Sequence, residues 1–433
     1  MARLKVLVAG DPVSIHATRF VCLLQEIGYD VRVFQSEYYF RQEEHLHDTV
    51  VYVSNFEPAR PWEKPINGNT IIAGFPVQMG FVGRKHAIYQ TIMPALGLVR
   101  RALGRDPASP MGAEELPRRA WHLRKVITRW RPDLIISLKM QNDGYTVAEA
   151  LSTPLAGGRP KWVHFTWGTD IEFFGKHPDY APAHLPRIRQ VLASCDYLIS
   201  DCQRDLRQAR EFGFRGGNLG QCLAPGGFDL ALMSELRAEA FPARDTILIK
   251  GREGNLVGRA LNVIRALGHV APRLKGYFIR VVMATEPVQK AVQDLVKEHR
   301  LDCEVLPHLS YRDLLLCFGR SRLAISASDV DGTPGFLTEA MAMGALPVHS
   351  DMESVREWIE DGVNGLLFPV DDVAALASCI ERGLVDNALV ASAGERNWAL
   401  TKERMDRNRI RAMVKEWIEC RVLGSPAPTG ASK

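Results

Sequence analysis

Four consecutive features between Leu323 and Val348 restrict the folds open to this chain. They are an apolar run, Leu323-Ala324-Ile325-Ser326, a turn containing glycine and proline, a short helical pattern carrying Phe336, Leu337, Ala340 and Met341, and a second apolar run, Ala345 to Val348. Strand, loop, helix, strand is a βαβ unit, and strands this apolar are buried on both faces of a parallel sheet. Pro334 suits the first helical position, where its missing N–H costs nothing, and Gly344 suits the position just past the end. The first amides of that helix, on Gly335, Phe336 and Leu337, would then offer partial positive charge to an anion such as a diphosphate. Asp331 in the loop and Glu339 in the helix flank the same spot.

The same alternation runs through most of the chain. It opens with a strand from Leu4 to Ala9, a Gly10-Asp11-Pro12 turn, a helix with Phe20, Val21, Leu23, Leu24 and Ile27 on its apolar face, and a strand from Val31 to Phe34. Further strands are predicted at Val50–Val53, Thr70–Ala73, Leu134–Leu138 and Trp162–Thr166, with helices over 87–103 and 114–130. A second series starts at Asp245–Lys250 and continues through Phe278–Met283, Glu304–Leu306, Leu323–Ser326 and Ala345–Val348, with a short strand after Asp361-Gly362. A chain of 433 residues exceeds what one hydrophobic core holds, so two domains are expected. Turn-rich segments at 213–217 and 225–229 close the first, giving domains of 1–238 and 243–398, a linker between Leu236 and Ala243, and a charged helical tail over 399–433.

Composition excludes several classes. With 46% hydrophobic and 24% charged residues the chain is neither largely disordered nor fibrous. Its net charge of +4 gives no footprint for nucleic acid. Eight scattered cysteines lack metal-finger spacing and fit reduced thiols in a cytoplasmic protein. No apolar segment approaches the roughly 20 residues of a membrane span, so membrane contact would be peripheral. Arg84, Lys85, Arg100, Arg101, Arg105, Arg118, Arg119, Arg124, Lys125, Arg129 and Arg131 concentrate positive charge before residue 132, which fits either a solvated helix face or an anionic acceptor or headgroup surface. His45 and His47 are spaced for one strand face but have no third metal ligand in view.

Three other stretches carry candidate chemistry. After the Asp245–Lys250 strand, Lys250-Gly251-Arg252 and then Gly258-Arg259 form a cationic loop punctuated by glycine, where the backbone can approach a diphosphate while Arg or Lys neutralises it. The bland counterpart is an exposed basic loop. The Gly10-to-His16 loop enters a helix without a Gly-x-Gly-x-x-Gly fingerprint, which argues against a dehydrogenase. The strand ending at Thr166 delivers Trp167-Gly168-Thr169-Asp170 where α/β sheets place ligands, although Asp170 is also suited to capping the next helix.

The order acid, seven residues, acid, Ala-Met-Ala, glycine and a Pro-Val strand resembles the donor-site signature of retaining GT-B glycosyltransferases of family 4. The resemblance covers most of the chain and is strongest from Asp245 to Phe368. It implies an α/β GT-B fold, two doubly wound Rossmann-like domains facing a central cleft, with the tail crossing back to the first. It assigns donor-sugar hydroxyls to Asp331, the nucleotide ribose to Glu339, and the diphosphate to Arg259 with Lys250 or Arg252. It places Gly10 and His16 toward the donor phosphates and acceptor, and gives Asp170 a part in holding the sugar. Ser137–Gln141 and Asp201–Asp205 look like one bacterial branch. Two residues depart from the pattern: Asp331 stands where many members have glutamate, and Trp167 stands where they have histidine.

The expected function is retaining transfer of a sugar from a nucleotide-diphosphate sugar to a glycan, lipid-linked or small-molecule acceptor, as in polysaccharide biosynthesis. No cofactor or metal is expected, because fixed dipoles and cations can stabilise the leaving diphosphate. The expected setting is the cytoplasm, including the inner face of the membrane. The alternatives are a nucleotide-sugar epimerase of the same fold, and a non-catalytic glycan-binding or scaffold protein with a decayed donor site. A glycoside hydrolase is disfavoured, since eight residues of helix separate two acids by about 12 Å.

Overall fold

The structure, a computed structural model, describes residues 3–424 except 13, 36–48, 54–62, 68–69, 74–114, 225, 241–243 and 255–256. The expected 87–103 helix, the His45 and His47 pair, and the basic residues at 84, 85, 100, 101 and 105 lie outside the described residues. The chain divides into two compact units, residues 1–226 with 411–433, and residues 227–410.

In the first unit the described strands are β1 (Lys5–Ala9), β2 (Asp30–Gln35), β3 (Val50–Val53), β4 (Glu63–Asn67), β5 (Thr70–Ala73), β6 (Leu134–Leu138), β7 (Lys161–Thr166), β8 (Tyr197–Ser200) and β9 (Gly217–Gln221). They make one sheet in the order β4-β5-β3-β2-β1-β6-β7-β8-β9, in which only the β4–β5 pair is antiparallel. Val6, Leu7, Val8 and Ala9 are all fully buried, as a central strand covered on both faces requires. Residues from Arg411 onward belong to this unit: Trp417 packs over Gly220, and the Arg421 carbonyl accepts the Tyr197 hydroxyl at 2.8 Å.

The second unit adds β10 (Thr246–Lys250), β11 (Glu253–Gly254), β12 (Gly258–Arg259), β13 (Phe278–Val282), β14 (Cys303–Val305), β15 (Ser321–Ser326), β16 (Leu346–Ser350) and β17 (Leu366–Phe368). Six of them form a wholly parallel sheet, β14-β13-β10-β15-β16-β17. Counted from the first strand of that sheet, this is 3-2-1-4-5-6, the order of doubly wound nucleotide-binding sheets. Ile247 and Ile249 of β10, Leu323 and Ile325 of β15, and Leu346 and Val348 of β16 point into one apolar core with Val263 and Leu267 of the Ala260–His269 helix. The pattern of apolar residues had announced these elements, with ends within a few residues.

Three local expectations are corrected. The segment read as a linker begins inside a helix, Leu230–Ala240, which belongs to the second unit, and the chain passes between units at 226/227 and 410/411. The tail is not one helix: Asn387–Arg404 and Arg407–Glu416 are separated at Met405-Asp406, where Phe228 N–H donates to the Met405 carbonyl at 2.7 Å and Arg407 N–H to the Phe228 carbonyl at 2.9 Å. A backbone pair between the two passing segments thus competes with continuation of the helix. The strands β4, β8 and β9, and the two short strands β11 and β12 inside the cationic loop, were not read from sequence; β9, Gly-Asn-Leu-Gly-Gln, has no β-branched residue to signal it.

Gly344 caps the Gly335–Met343 helix at φ 81°, and a Cβ there would stand 2.6 Å from Nη2 of Arg244. Gly344→Ala is therefore expected to lower the unfolding free energy by about 1–2 kcal/mol. Urea denaturation measures it, and an unchanged midpoint would contradict the left-handed cap.

Candidate functional site

In a doubly wound sheet the crossovers on either side of the reversal in strand order run away from each other, and ligands bind outside the carboxyl ends of the strands there. In the second unit that point lies between β10 and β15. Ile249 is level with Ile325, and Ser326 with His349, so Lys250 and Ser326, which end β10 and β15, and His349, the last residue but one of β16, stand in one row on one face. The loops beyond these strands carry the charges.

Asp331 sits in the loop after β15. Its Oδ1 accepts the Gly332 N–H at 2.9 Å, its Oδ2 stands 4.0 Å from Nζ of Lys250, and its carbonyl accepts the Ser354 hydroxyl at 2.7 Å. Trp358 Nε1 donates to the Thr333 hydroxyl at 3.0 Å, so two groups beyond β16 hold this loop in place. Pro334 proves to be the N-cap rather than the first helical residue, which leaves Gly335, Phe336 and Leu337 as the amides preceding the first intrahelical bond, Thr338 N–H to the Pro334 carbonyl. The Phe336 and Leu337 side chains are buried, Phe336 edge-on to Phe318, so only their backbones are available to a ligand. Glu339 follows within the same helix and is half-buried.

The β11–β12 hairpin supplies the second cation. Arg259 N–H donates to the Ala327 carbonyl at 3.1 Å, and Asp329 N–H donates to the Val257 carbonyl at 2.9 Å, so the hairpin lies along the loop after β15. Gly258 permits this, because a Cβ there would come within 2.5 Å of the Arg252 carbonyl oxygen. The Arg259 guanidinium pairs with Asp329. Arg252 is exposed, whereas Lys250 is half-buried and faces Asp331, so geometry favours Lys250 as the companion of Arg259.

Sequence reasoning missed His349, Ser326, Ser328 and Asp329. Among the described residues Ser326 Oγ, Ser328 Oγ and His349 Nε2 are buried without a hydrogen-bond partner. His349 Nδ1 lies 3.1 Å from the Ser350 carbonyl, which sets the Nδ1–H tautomer and leaves Nε2 an acceptor. Burial, with cationic Lys250 adding to it, lowers the imidazole pKa to about 4. Polar residues at the ends of apolar strands, Ser326 on β15 and His349-Ser350 on β16, were the available signal.

The first unit has its own reversal point, between β1 and β6. Gly10 follows β1 and is buried, and a Cβ on it would stand 3.2 Å from Cδ1 of Leu138. His16 lies edge-on to Trp167, ring centroids 6.1 Å apart. After β6, Lys139 and Asn142 adopt φ of 70° and 65°, strain of the kind concentrated at functional loops. Asp170 neither caps the next helix nor presents its carboxylate to solvent. Only 2% exposed, its Oδ2 accepts the N–H groups of Met140 at 2.8 Å and Trp167 at 2.9 Å, latching the loops after β6 and β7 together, and burial raises its pKa to about 7. In this structure Asp170 joins the loops after β6 and β7. Asp201, Cys202 and Asp205 bring three ligand atoms within 4.8 Å of one another, but Arg204 already supplies the positive charge to Asp205 at 2.8 Å, and burial raises the Cys202 thiol pKa, so no metal is assigned there.

Residues 246–398 match the family model described as Glycosyl transferases group 1. Over its whole length the chain superposes on sucrose-phosphate synthase from Thermosynechococcus elongatus, with a TM-score of 0.70 at 14% identity, covering 98% of this chain and 100% of that one. The fold is GT-B. The same GT-B architecture relates it to α,α-trehalose 6-phosphate synthase from Burkholderia multivorans, with a TM-score of 0.68 at 14% identity, covering 98% and 100% of the two chains. It is also similar to Anabaena HepE in complex with UDP-glucose, with a TM-score of 0.64 at 15% identity and coverage of 96% and 99%. A comparison with curated proteins by sequence gives no match. Lys250, Arg252, Arg259, Asp331, Gly335, Phe336, Leu337 and Glu339 fall inside the matched segment of this GT-B chain, and Gly10, His16 and Asp170 outside it. Among the described residues no helix is long and apolar enough to cross a membrane.

Because the folded pKa of His349 lies below the ordinary 6.5, its contribution to stability is present above pH 6.5 and is lost as pH falls toward 4. The difference in unfolding free energy between the wild type and His349→Asn should therefore shrink over that interval. A difference that stays constant from pH 7 to 4 would show an imidazole titrating normally.

Proposed function

We propose that the chain transfers a glycosyl group from a nucleoside-diphosphate sugar to an acceptor hydroxyl with retention at the anomeric carbon. One observation carries this reading: Lys250, Arg259, Asp331 and the start of the Gly335–Met343 helix converge on the carboxyl edge at the β10–β15 reversal point. Cations and helix amides there suit a diphosphate, and a short carboxylate beside them suits sugar hydroxyls.

In the proposed reaction the bond from the anomeric carbon to the β-phosphate oxygen breaks and a bond to the acceptor oxygen forms on the same face. The acceptor proton passes to the departing phosphate, so no protein nucleophile is required. Arg259 and Lys250 stabilise the charge growing on the diphosphate, together with the amides of Gly335, Phe336 and Leu337. These groups are preorganised, which is why the reading requires no metal. Asp331 orients the donor sugar and Glu339 the ribose. The HepE structure with UDP-glucose makes a UDP-sugar the first donor to try. The acceptor is a glycan, a lipid-linked glycan or a small sugar.

A screen of UDP-, GDP- and ADP-sugars for a rise in melting temperature tests the donor assignment, since a ligand that binds only the native state raises it by mass action. With the donor in hand, Arg259→Ala and Lys250→Ala should each lower kcat about a hundredfold, and proton NMR of the product should show the donor's anomeric configuration. No shift with any nucleotide sugar would favour a scaffold. Turnover of the sugar without an acceptor, giving an epimer, would favour an epimerase.

A further inference from the structure

Two groups at the second unit's edge that suit an anion each hold a carboxylate of the chain itself. Arg259 Nη2 pairs with Asp329 Oδ2, and its Nη1 donates to the Gly258 carbonyl at 2.8 Å. The first turn of the Ala260–His269 helix is similarly engaged: Leu261 N–H donates to Glu253 Oε2 at 2.8 Å. A diphosphate gripped by both ends of the guanidinium would have to take Nη2 from Asp329 and Nη1 from the carbonyl.

Electrostatics point the same way. Asp329 feels the negative charges of Asp371 and Glu253 as well as the positive charge of Arg259, so the ion pair sits among like charges. A diphosphate arriving among them meets like charge at short range, a cost that falls only if Asp329 swings out or is neutralised. Asp329 can move, because its side chain is 30% exposed. Its backbone cannot, since its N–H is tied to Val257 and Ser328 is bridged to Gly258. The carboxylate therefore stays within reach of Arg259 whether or not it is bonded to it.

We propose that Asp329, with Glu253 beside it, is an internal stand-in for the donor's diphosphate: it holds Arg259 ready, yields it to the incoming nucleotide, and recaptures it when the nucleoside diphosphate leaves. Asp329 is thus a positioning residue acting through Arg259, and it weakens product binding in return for release. The inference rests on the donor-site reading above.

Calorimetric titration of the full chain with UDP, GDP and ADP separates the two. Asp329→Asn keeps the size and one acceptor but removes the charge, and should bind the preferred nucleoside diphosphate about tenfold tighter than the wild type. In the Arg259→Ala background the same substitution should give a clearly smaller gain, because only the direct like-charge repulsion is relieved and the competition for the guanidinium is gone. Glu253→Gln should tighten binding in the same direction, and carries the test if Asp329→Asn does not fold. Equal or weaker binding by the charge-removing variants, with the wild type binding normally, overturns the stand-in and leaves the donor site intact. Absence of binding in the wild type and every variant overturns the donor site itself.

Discussion

The parallel pairing of β10 with β15 is the contact on which the second unit depends. Ile247, Leu248 and Ile249 have no exposed surface, and burying each contributes about 1.5–3 kcal/mol. That apolar ladder sets the register, and the register decides where the strands release their polar ends. A slip of one residue would turn Lys250 from the row it shares with Ser326 and His349 to the opposite face.

The site built on this ladder is electrostatically crowded. Lys250 faces Asp331, Arg259 faces Asp329, and three buried polar atoms on Ser326, Ser328 and His349 have no partner among the described residues. Each such atom costs about 1–3 kcal/mol, which only a large apolar core below it can offset. The loop after β15 is held by side chains from a different part of the same unit, Ser354 and Trp358, in addition to the local bond from Gly332 N–H to Asp331. Cations held in place on a rigid edge are what stabilisation of a leaving anion demands.

The likeness to sucrose-phosphate and trehalose 6-phosphate synthases at 14% identity shows how little of a GT-B fold depends on particular residues. What recurs is the order of apolar strands and helices. The residues in the loops at the strand ends are free to differ, as Asp331 and Trp167 do from the pattern that the family resemblance suggested.

Much of the architecture was legible in the sequence, because strands buried on both faces must be continuously apolar and helices covering them must repeat every three to four residues. Leu134–Leu138 and Thr70–Ala73 were readable to the residue. Gly344 marked a helix end because only glycine takes its left-handed backbone without strain. Asp331, Glu339, Lys250 and Arg259 stood out through the donor-site signature that their context resembles; as isolated charges they would have passed for a turn acid, a solvated helix charge and an exposed basic loop. The sequence was silent on β9, whose pairing with β8 supplies the order that its own residues lack, and on the break at Met405-Asp406, which a backbone pair with Phe228 imposes. It was equally silent on Asp170, which looks like a ligand-facing acid until the loops after β6 and β7 close on it, and on Asp329, which becomes a partner of Arg259 only when a hairpin 70 positions away folds beside it. Local periodicity follows from the chain alone; which carboxylate is buried, which is paired and which is left for a ligand depends on neighbours distant in sequence, and only packing brings those together.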